Sequence, residues 1–354
     1  MGFWSQTSAS PSYWETWISR PRPRFLRTSA VEYPRTPDGL GRPRRLQESD
    51  AADLAKFWRT HYGGSDWYLD CNVSFVLRYI RNPHVFIFGL FTNGIELIGT
   101  IVSTPLTSGN THMSHGPTMT TLRVIEGLCV HPRFRSKGIA GYLIGCMDAF
   151  TSETAPVAHL WGRELSQTPF MSTAIRTDTY AYMRCSRNDS PISMIPFAWN
   201  DFRGLWMVSS HLWTDSCVSR IVASVPSAVH GHHDVWILDN SVKGVVPIIV
   251  VTNTHRKTRA ENRCIYEIAW CGYLRENHLV PADGSLEFKG WIEEIASQYD
   301  GILFVSSALT NGGATSDWKT PWVFGSSGVH AWYLYNYIPP AFGRCELLTI
   351  RDEL

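Results

Sequence analysis

The chain has 354 residues, of which 44% are hydrophobic and 18% charged, so it can bury the core of one large or two ordinary domains and is not a disordered chain. Its formal net charge of +1 provides no strong field for a polyanion, which argues against nucleic acid as a partner. Eight cysteines without a C-x-x-C pair favour buried free thiols in a reduced, cytoplasmic protein. We see no signal peptide, and apolar runs such as 245–251 are too short to form a transmembrane segment.

Residues 1–47 form the first region, which is rich in proline and arginine and has few acids. This composition predicts an extended basic arm that lies over the body of the protein. Two interpretations of the arm remain open: a solvated linker, or a segment in partial contact with a phosphate-bearing ligand.

The next region, 48–188, has the pattern of a mixed α/β unit. Ser49 is a candidate cap for a helix that ends at His61, and a second helix is expected at 73–81. Asn93-Gly94 is a strong hairpin signal between strands at 84–91 and 95–103. The elements expected after the hairpin are a strand ending at His131, a basic loop, a helix to about Phe150 and a strand near 157–161. This is the element order of a GNAT-type acyltransferase domain.

The basic loop carries the most specific chemistry of the chain. Arg135-x-x-Gly138-x-Ala140 connects an apolar strand to a helix whose apolar face begins at Ile139. The first N–H groups of a helix are unpaired and favour anions, and two arginines and a lysine add positive charge. The loop therefore predicts a site for the pyrophosphate of coenzyme A, although such a motif by itself is weak and depends on its context.

A polar stretch at 185–191 separates the first half from 189–354, the third predicted region. The same element order returns there, with the strands and helix expected at 234–238, 245–252, 264–271, 286–299 and 301–306. No equivalent of the basic motif precedes the second helix. We therefore expect the second half not to bind coenzyme A and to be free for another task, such as holding an acceptor.

Several segments resemble, in order, those of the N-myristoyltransferase family. Leu128-Cys129-Val130-His131 followed by Arg135-Ser136-Lys137 and Ala140 looks like the first family signature. The other similar segments are Tyr13-Trp14-Glu15-Thr16, Trp67-Tyr68-Leu69-Asp70, Trp161-Gly162 with Leu165 and Pro169, Phe324-Gly325 with Gly328, and Tyr333-Leu334-Tyr335-Asn336. No single motif is decisive, but their joint order from residue 13 to residue 336 is fairly specific.

This resemblance implies a fold and an activity. The implied fold is mixed α/β, with two fused GNAT-like halves about a pseudo-twofold axis and a continuous saddle-shaped sheet. The implied reaction is direct addition–elimination, in which the myristoyl group of myristoyl-CoA moves to the N-terminal glycine amine of a peptide or protein. Myristoyl-CoA is then the acyl-donor co-substrate, no cofactor is permanently bound, and the protein is expected to be a monomer.

The resemblance also assigns roles to residues. The backbone N–H groups of Gly127 and Leu128 would form the oxyanion hole, and the carboxylate of Leu354 or the side chain of Asp352 would act as base. The residues expected to contact the acyl-CoA are Tyr13, Trp14, Cys129, Val130, Arg135, Ser136, Lys137, Gly138, Ile139 and Ala140. Those expected to contact the peptide are Trp67, Leu69, Tyr182, Gly325 and Tyr335.

Departures from the family pattern fall mainly on the acceptor side. The family's acidic stretch is shortened to 63–66, Tyr68 replaces an arginine, and Arg184 replaces a histidine. An aspartate of the second signature is absent at Ser327-Gly328, and the C-terminus is longer by about two residues. These changes predict an altered peptide preference, with less demand for a basic residue downstream of the glycine.

Two other functions remain open. Gly127 and Gly138 replace a phenylalanine and a basic residue of the family, and Gly138 fits acetyltransferases that use acetyl-CoA or another short-chain acyl-CoA. A catalytically degenerate homologue that only binds acyl-CoA or a lipopeptide is the other alternative. The segment 230–234, His-Gly-His-His-Asp, lacks distant ligands with suitable spacing, so we expect an exposed loop there and no metal.

Overall fold

A computed structural model describes most of the chain. The described residues are 24–25, 29–93, 95–108, 122–164, 176–178, 180–188, 192–209, 220–224, 233–238, 245–281, 287–306, 323–324, 330–338 and 346–349. Its α-helices are α1 (Ala51–His61), α2 (Val73–Arg81), α3 (Ile139–Thr151), α4 (Trp199–Ser209) and α5 (Glu287–Ala296).

Twenty strands form three hydrogen-bonded sheets within the described residues. A short pair joins β1 (Arg24–Phe25) to β19 (Tyr337–Ile338). The first large sheet contains β2 (Arg44–Arg45), β4 (Phe86–Thr92), β5 (Glu96–Ser108), β6 (Leu122–Val130), β7 (Ala158–Glu164), β8 (Arg176–Asp178), β11 (Arg220–Ser224), β18 (His330–Tyr335) and β20 (Glu346–Thr349). The second contains β3 (Trp67–Leu69), β9 (Tyr180–Cys185), β10 (Met194–Phe197), β12 (His233–Leu238), β13 (Val245–Thr258), β14 (Cys264–Arg275), β15 (His278–Pro281), β16 (Gly301–Ser306) and β17 (Val323–Phe324).

The two large sheets have the same topology. The first follows the order β2-β4-β5-β6-β7-β18-β8, and the second follows β10-β12-β13-β14-β16-β9-β17. Along each path one neighbouring pair is parallel, β6 with β7 and β14 with β16, and a helix connects the two strands of that pair. The prediction that one topology is used twice is therefore confirmed.

Each large sheet includes a strand from the other part of the chain. Strand β18, near the C-terminus, pairs with β7 in the first sheet, whereas β9 pairs with β16 in the second. A single residue separates β8 from β9, so the chain passes directly from one sheet into the other. Among the described residues, the hydrogen bonds thus form two nine-stranded sheets and not one continuous ladder.

Helices cover both faces of each sheet because the strands are apolar on both sides. In the first sheet, Ile87 belongs to the cluster beneath α1 and α2, whereas its neighbour Phe88 belongs to the cluster beneath α3. In the second sheet, Ile249 packs with the α5 layer and Val250 with the α4 layer. Alternation along single strands therefore separates two apolar layers in each half.

Local signals placed the first elements well. Helix α2 has the predicted bounds, and its cap Asn72 accepts a hydrogen bond from the Phe75 N–H at 2.8 Å. Asn93 has a positive φ of 46° in the predicted hairpin turn. The proposed cap at Ser49 is wrong, because a 3-10 turn at Glu48–Asp50 precedes α1, and Asp50 occupies the position before the helix.

Candidate functional site: a bulge, a strand split and a basic loop

The centre of the candidate site is a β-bulge in β6. Thr100 pairs with Cys129 and Val102 with Glu126, so Gly127 and Leu128 both lie opposite one residue of β5. Gly127 has a φ of 55°, a conformation that costs glycine little and other residues more. A bulge interrupts the regular ladder and leaves its extra residue unpaired, so backbone N–H groups become available at this point.

Two buried side chains hold the bulge from the α1 side. The hydroxyl of Thr100 donates to the carbonyl oxygen of Gly127 at 3.0 Å, and the indole N–H of Trp58 donates to that hydroxyl at 3.0 Å. Both Thr100 and Trp58 are fully buried. This pair was not predicted from the sequence, although a polar Thr100 within an apolar strand and a tryptophan on the buried stripe of α1 were visible signals.

The sheet splits beside the bulge. Strands β6 and β7 pair in parallel only from Leu122–Ile125 to Ala158–Trp161. Beyond that point β6 keeps its pairing with β5, while β7 keeps its pairing with β18 through Glu164. Leu128, Val130 and Trp161 are half-buried around this split, which is apolar and bordered by the bulge. Such an opening suits an extended thioester whose carbonyl meets the bulge.

The basic loop follows directly at the end of β6. Pro132–Phe134 form a 3-10 turn, and Gly138, with a φ of 76°, stands immediately before α3 without a side-chain cap. Ser136 also has a positive φ, 61°, which is uncommon for a residue with a side chain. The first turn of α3 contains no acidic residue, so nothing in it opposes an anion.

The cationic side chains of the loop are exposed and partly positioned. The Arg135 Nε donates to the Val130 carbonyl at 3.1 Å, and the Lys137 ammonium lies 5.0 Å from the centre of the Phe134 ring. Arg133 and Arg135 to Gly138 are all exposed. Together with the unpaired N–H groups at the start of α3, they form a surface that can bind a pyrophosphate.

Two histidine rings pack behind this loop. His131 Nδ1 accepts a hydrogen bond from the Arg133 N–H at 3.2 Å, and the ring centres of His131 and His61 are 4.5 Å apart. Burial lowers the pKa of His61, and the nearby His131 and Arg135 lower it further. These contacts give His131 a packing role in the turn.

The second sheet has the equivalent bulge but no equivalent opening. Val250 pairs with Trp270 and Val251 with Ile268, so Ala269 is the extra residue on β14. Strand β14 pairs with β16 only through Glu267, but the same side is then occupied by β15, which pairs with Gly272–Arg275. In the second sheet, β15 thus occupies the position that corresponds to the split between β6 and β7. The expectation that the second half does not bind coenzyme A stays a prediction.

The predicted oxyanion residues and the predicted acyl-CoA residues that the structure describes lie together, although their side chains differ in access. Gly127, Leu128 and Val130 border the split, and Arg135, Ser136, Lys137, Gly138 and Ala140 form the loop and the start of α3. Ile139 is only 2% exposed and packs in the α3 core, so its backbone alone can face a ligand. Cys129 points to the opposite face, where burial raises the pKa of its thiol to about 12. Tyr13 and Trp14 lie outside the described residues.

The predicted peptide residues are more dispersed. Trp67 is half-buried on β3, whereas Leu69 is 0% exposed and lies in the core beneath α1 and α2, so its side chain offers a peptide no surface. Tyr182 stands on β9 of the second sheet opposite Phe304, and Tyr335 stands on β18 of the first sheet opposite His159.

Both candidates for the base are near the end of the sequence. Gly325, Asp352 and Leu354 lie outside the described residues. The last described strand, β20, pairs in parallel with β11, which in turn pairs with Thr107 and Ser108 of β5. The roles given to Leu354 and Asp352 therefore remain predictions.

The remaining predictions concern cysteines, metal and membrane. The six cysteines that the structure describes are free thiols, and five of them are buried. His230 and His232 lie outside the described residues, but His233 begins β12, where it is buried, stacks on Trp199 and bonds Thr252 at 2.6 Å. The expected exposed loop is therefore wrong for His233, because the strand begins there. None of the described helices has the length and apolar content needed to cross a bilayer.

Comparison with solved structures agrees with the fold. The chain aligns with a structure of Saccharomyces cerevisiae N-myristoyltransferase with bound myristoyl-CoA and inhibitors at a TM-score of 0.62 and 10% identity, covering 90% of this chain and 84% of that chain. A second structure of the yeast enzyme, with bound myristoyl-CoA, gives a TM-score of 0.56 and 11% identity over 96% and 95% of the two chains. No protein-family model and no curated protein matches the sequence.

The class of fold follows from these observations. The chain has a mixed α/β fold of two GNAT-like halves, as predicted. More particularly, it has the fold of N-myristoyltransferase, and at this level of identity the likeness establishes the fold alone.

Proposed function

We propose that this protein is an acyl-CoA-dependent N-acyltransferase, and that its reaction is the transfer of a myristoyl group to the N-terminal glycine amine of a peptide or protein. One observation carries the proposal: strand β6 bears a bulge, borders a split in the sheet and leads into a basic helix N-terminus. These are the three features that an acyl-CoA needs for its carbonyl, its extended chain and its pyrophosphate.

The chemistry can be assigned to groups of this chain. The glycine amine, once deprotonated, attacks the thioester carbonyl, and the N–H groups at Gly127 and Leu128 stabilise the oxyanion. The carbonyl then re-forms as the C–S bond breaks, the nitrogen gives up the extra proton that it carries after the attack, and the sulfur of coenzyme A takes up a proton and leaves as a thiol. A carboxylate from Leu354 or Asp352 is proposed to accept the amine proton, which requires its pKa to be raised from about 4 by burial.

The donor is proposed to have a long acyl chain because the split between β6 and β7 is apolar and because the yeast enzyme, which has the same fold, binds myristoyl-CoA. A second candidate, transfer from acetyl-CoA or another short-chain acyl-CoA, is favoured by Gly138. Its φ of 76° shows that the loop uses a glycine turn in place of a further cation.

The proposal is tested by following coenzyme A release from myristoyl-CoA and acetyl-CoA with a panel of Gly-peptides. We expect turnover with myristoyl-CoA and a free glycine amine, and none with N-acetylated versions of the same peptides. Preference for acetyl-CoA would replace the first candidate by the second. Tight binding of myristoyl-CoA without turnover of any peptide would contradict the enzymatic function.

A matched pair of variants tests the loop. Replacing Arg135 and Lys137 with glutamine should weaken coenzyme A binding about tenfold or more and make it less sensitive to salt, because screened phosphate contacts are lost. Arg275→Gln, an exposed arginine at the far end of β14, is the control and should leave binding within twofold. If both variants bound coenzyme A equally well, the loop would not be part of the donor site.

A further inference from the structure

One histidine fixes the turn that leads from β6 into the basic loop. His131 is the first residue after β6, and its N–H donates to the Ile98 carbonyl of β5 at 2.8 Å, which anchors the turn to the sheet. Its ring Nδ1 accepts a hydrogen bond from the Arg133 N–H at 3.2 Å. Because a backbone N–H can only donate, this Nδ1 presents a lone pair, and the ring is neutral with its proton on Nε2.

The ring of His131 acts as the cap of the 3-10 turn Pro132–Phe134. The usual caps of a helical turn are serine, threonine, aspartate and asparagine, whose side-chain oxygen accepts from the second or third N–H of the turn. Here Nδ1 accepts from the second N–H. The next two N–H groups are also bonded, Phe134 to the His131 carbonyl at 2.9 Å and Arg135 to the Pro132 carbonyl at 3.3 Å. The imidazole therefore completes the hydrogen bonding of the turn.

The conformation of this turn determines where the cations of the loop stand. The chain leaves the turn at Arg135 with extended backbone, and the Arg135 Nε donates back to the Val130 carbonyl at 3.1 Å. The Lys137 ammonium lies 5.0 Å from the ring centre of Phe134, which is part of the turn. A change in the turn would therefore move both cations relative to the N-terminus of α3.

The charged and titratable neighbours of the His131 ring come from α1, from β5 and from the loop itself. His61, the last residue of α1, is half-buried, and its ring centre lies 4.5 Å from that of His131. Burial lowers the pKa of His61, with further lowering by His131 and Arg135, whereas the exposed Glu96 of β5 raises it. The cations of the loop are Arg133, Arg135 and Lys137. By charge alone, a proton on His131 would favour an anion here, whereas the hydrogen bond at Nδ1 predicts the opposite.

We propose that His131 is a positioning residue, which holds the basic loop in place for the donor pyrophosphate through the lone pair on Nδ1, and that protonation of this ring weakens donor binding. A protonated Nδ1 cannot accept from the Arg133 N–H, so the turn loses the bond that closes it. Asparagine would cap the turn at every pH, whereas a histidine cap depends on pH. The inference rests on the proposed function, because it takes this loop to bind an acyl-CoA.

The experiment measures the affinity of the full chain for coenzyme A by calorimetric titration. His131→Asn keeps an acceptor that does not titrate, and His131→Phe keeps an aromatic ring against His61 and Phe134 but has no acceptor. At pH 7.5 we expect His131→Asn to bind within about twofold of the wild type and His131→Phe to bind about five- to tenfold more weakly, because an uncapped loop must be ordered on binding. Equal affinity of His131→Phe and the wild type would overturn the proposal.

A series from pH 7.5 to pH 5.5 tests the sign of the effect. Coenzyme A has a phosphomonoester with a pKa of about 6, so each affinity is divided by that of His131→Asn at the same pH. This ratio should fall about three- to fivefold for the wild type and stay constant for His131→Phe. His61→Phe, which removes the neighbouring titration, should retain the fall. A ratio that rises in acid, or a fall that disappears in His61→Phe, would overturn the proposal.

Failure of the proposed function gives a different result. If coenzyme A binds with the expected dependence on His131 but no Gly-peptide is acylated from myristoyl-CoA, the positioning role stands and the catalytic function fails. If turnover occurs and binding does not depend on His131, the function stands and the positioning role is overturned. If the wild type does not bind coenzyme A, both are overturned. Should His131→Phe not fold, the ratio of wild type to His131→Asn across the pH series decides the proposal by itself.

Discussion

Thr100 is the residue on which the bulge depends. Its hydroxyl accepts a hydrogen bond from the Trp58 indole N–H and donates one to the Gly127 carbonyl, so one side chain satisfies two buried polar groups. Thr100→Val keeps the shape and removes both bonds. We expect a loss of about 1–3 kcal/mol in the free energy of unfolding, because two buried polar groups lose their partner.

Catalysis should fall in the same variant because the bulge would no longer be fixed. We expect kcat to drop about tenfold or more with the KM for myristoyl-CoA nearly unchanged, as for a misplaced oxyanion hole. The measurements are urea unfolding and steady-state turnover. Thr100→Ser retains the hydroxyl and should recover most of both losses, and an equal defect in the two variants would contradict this role.

His255 gives a pH dependence of stability. Its ring packs 4.6 Å from Phe75, and burial, with a smaller contribution from Arg78, lowers its pKa from 6.5 to about 4. The unfolded chain therefore binds a proton between pH 6.5 and 4 that the folded chain does not. Stability is complete above about pH 6.5 and decreases as the pH falls toward 4, by at most about 3 kcal/mol.

The variant His255→Asn should remove this part of the pH dependence. Asparagine is neutral throughout and tolerates the positive φ of 54° at this position. The check is a series of thermal unfolding curves from pH 7.5 to pH 4.5. Parallel losses of stability in both proteins would show that other groups are responsible.

At this scale, prediction succeeded where neighbours in sequence define the feature. Asn93 in its turn and Gly138 before its helix follow from local conformational preference. Trp58 and Thr100 were missed because they are 42 residues apart and meet only after α1 docks on the sheet. Leu69 was assigned to the peptide by resemblance, but strand alternation turns its side chain into the core.

Among the elements, α3 owes its position to a glycine in β5. A Cβ on Gly99 would lie 2.9 Å from Leu143 Cδ1 and 3.5 Å from Ile139 Cγ2. The absence of a side chain at Gly99 thus lets the first turns of α3 approach the sheet. This approach sets where the helix N-terminus stands relative to the end of β6.

Gly99→Val should push α3 outward. We expect a cost of about 1–3 kcal/mol in the free energy of unfolding from overpacking, and several-fold weaker coenzyme A binding because the helix N-terminus moves. Calorimetric titration and urea unfolding measure the two effects. Gly41→Val, at a position with open space around it, is the control. An unchanged affinity for coenzyme A in Gly99→Val would show that binding does not depend on the position of α3.

Elements with strong periodicity were predicted with bounds within a few residues. Helix α4 was missed because Gly204 interrupts its pattern and its apolar face consists mainly of Phe202 and Trp206, which pack on the second sheet. Strands β13 and β14 continue past their predicted ends to Thr258 and Arg275. There the pairing with β3 and β15 extends them, and that pairing is not local.

For the whole molecule, the exchanged strands make each half dependent on the other. Residues 1–188 lack β18, which the first sheet needs beside β7, and residues 189–354 lack β9, which the second sheet needs beside β16. We expect neither fragment to fold cooperatively alone, and the full chain to unfold in one transition. Circular dichroism and calorimetry test this, and two separate transitions would contradict it.

The duplication itself could be predicted from the repeated order of elements, but the exchange of β9 and β18 could not. Both strands are short, and each finds its partner across more than 100 residues of chain. No local pattern distinguishes a strand that joins the nearer sheet from one that joins the farther sheet. Loop length and sheet edges decide it only when the whole chain is assembled.

Strand β15 has a consequence for stoichiometry. Because it closes the second sheet at the place where the first is open, a molecule with two nearly equivalent halves should bind one equivalent of acyl-CoA, not two. Under the proposed function, we expect donor and acceptor to be bound at the same time, because β15 occupies the place where a second donor site would lie. One short strand, β15, thus makes two halves of the same topology differ at the position where the donor is proposed to bind.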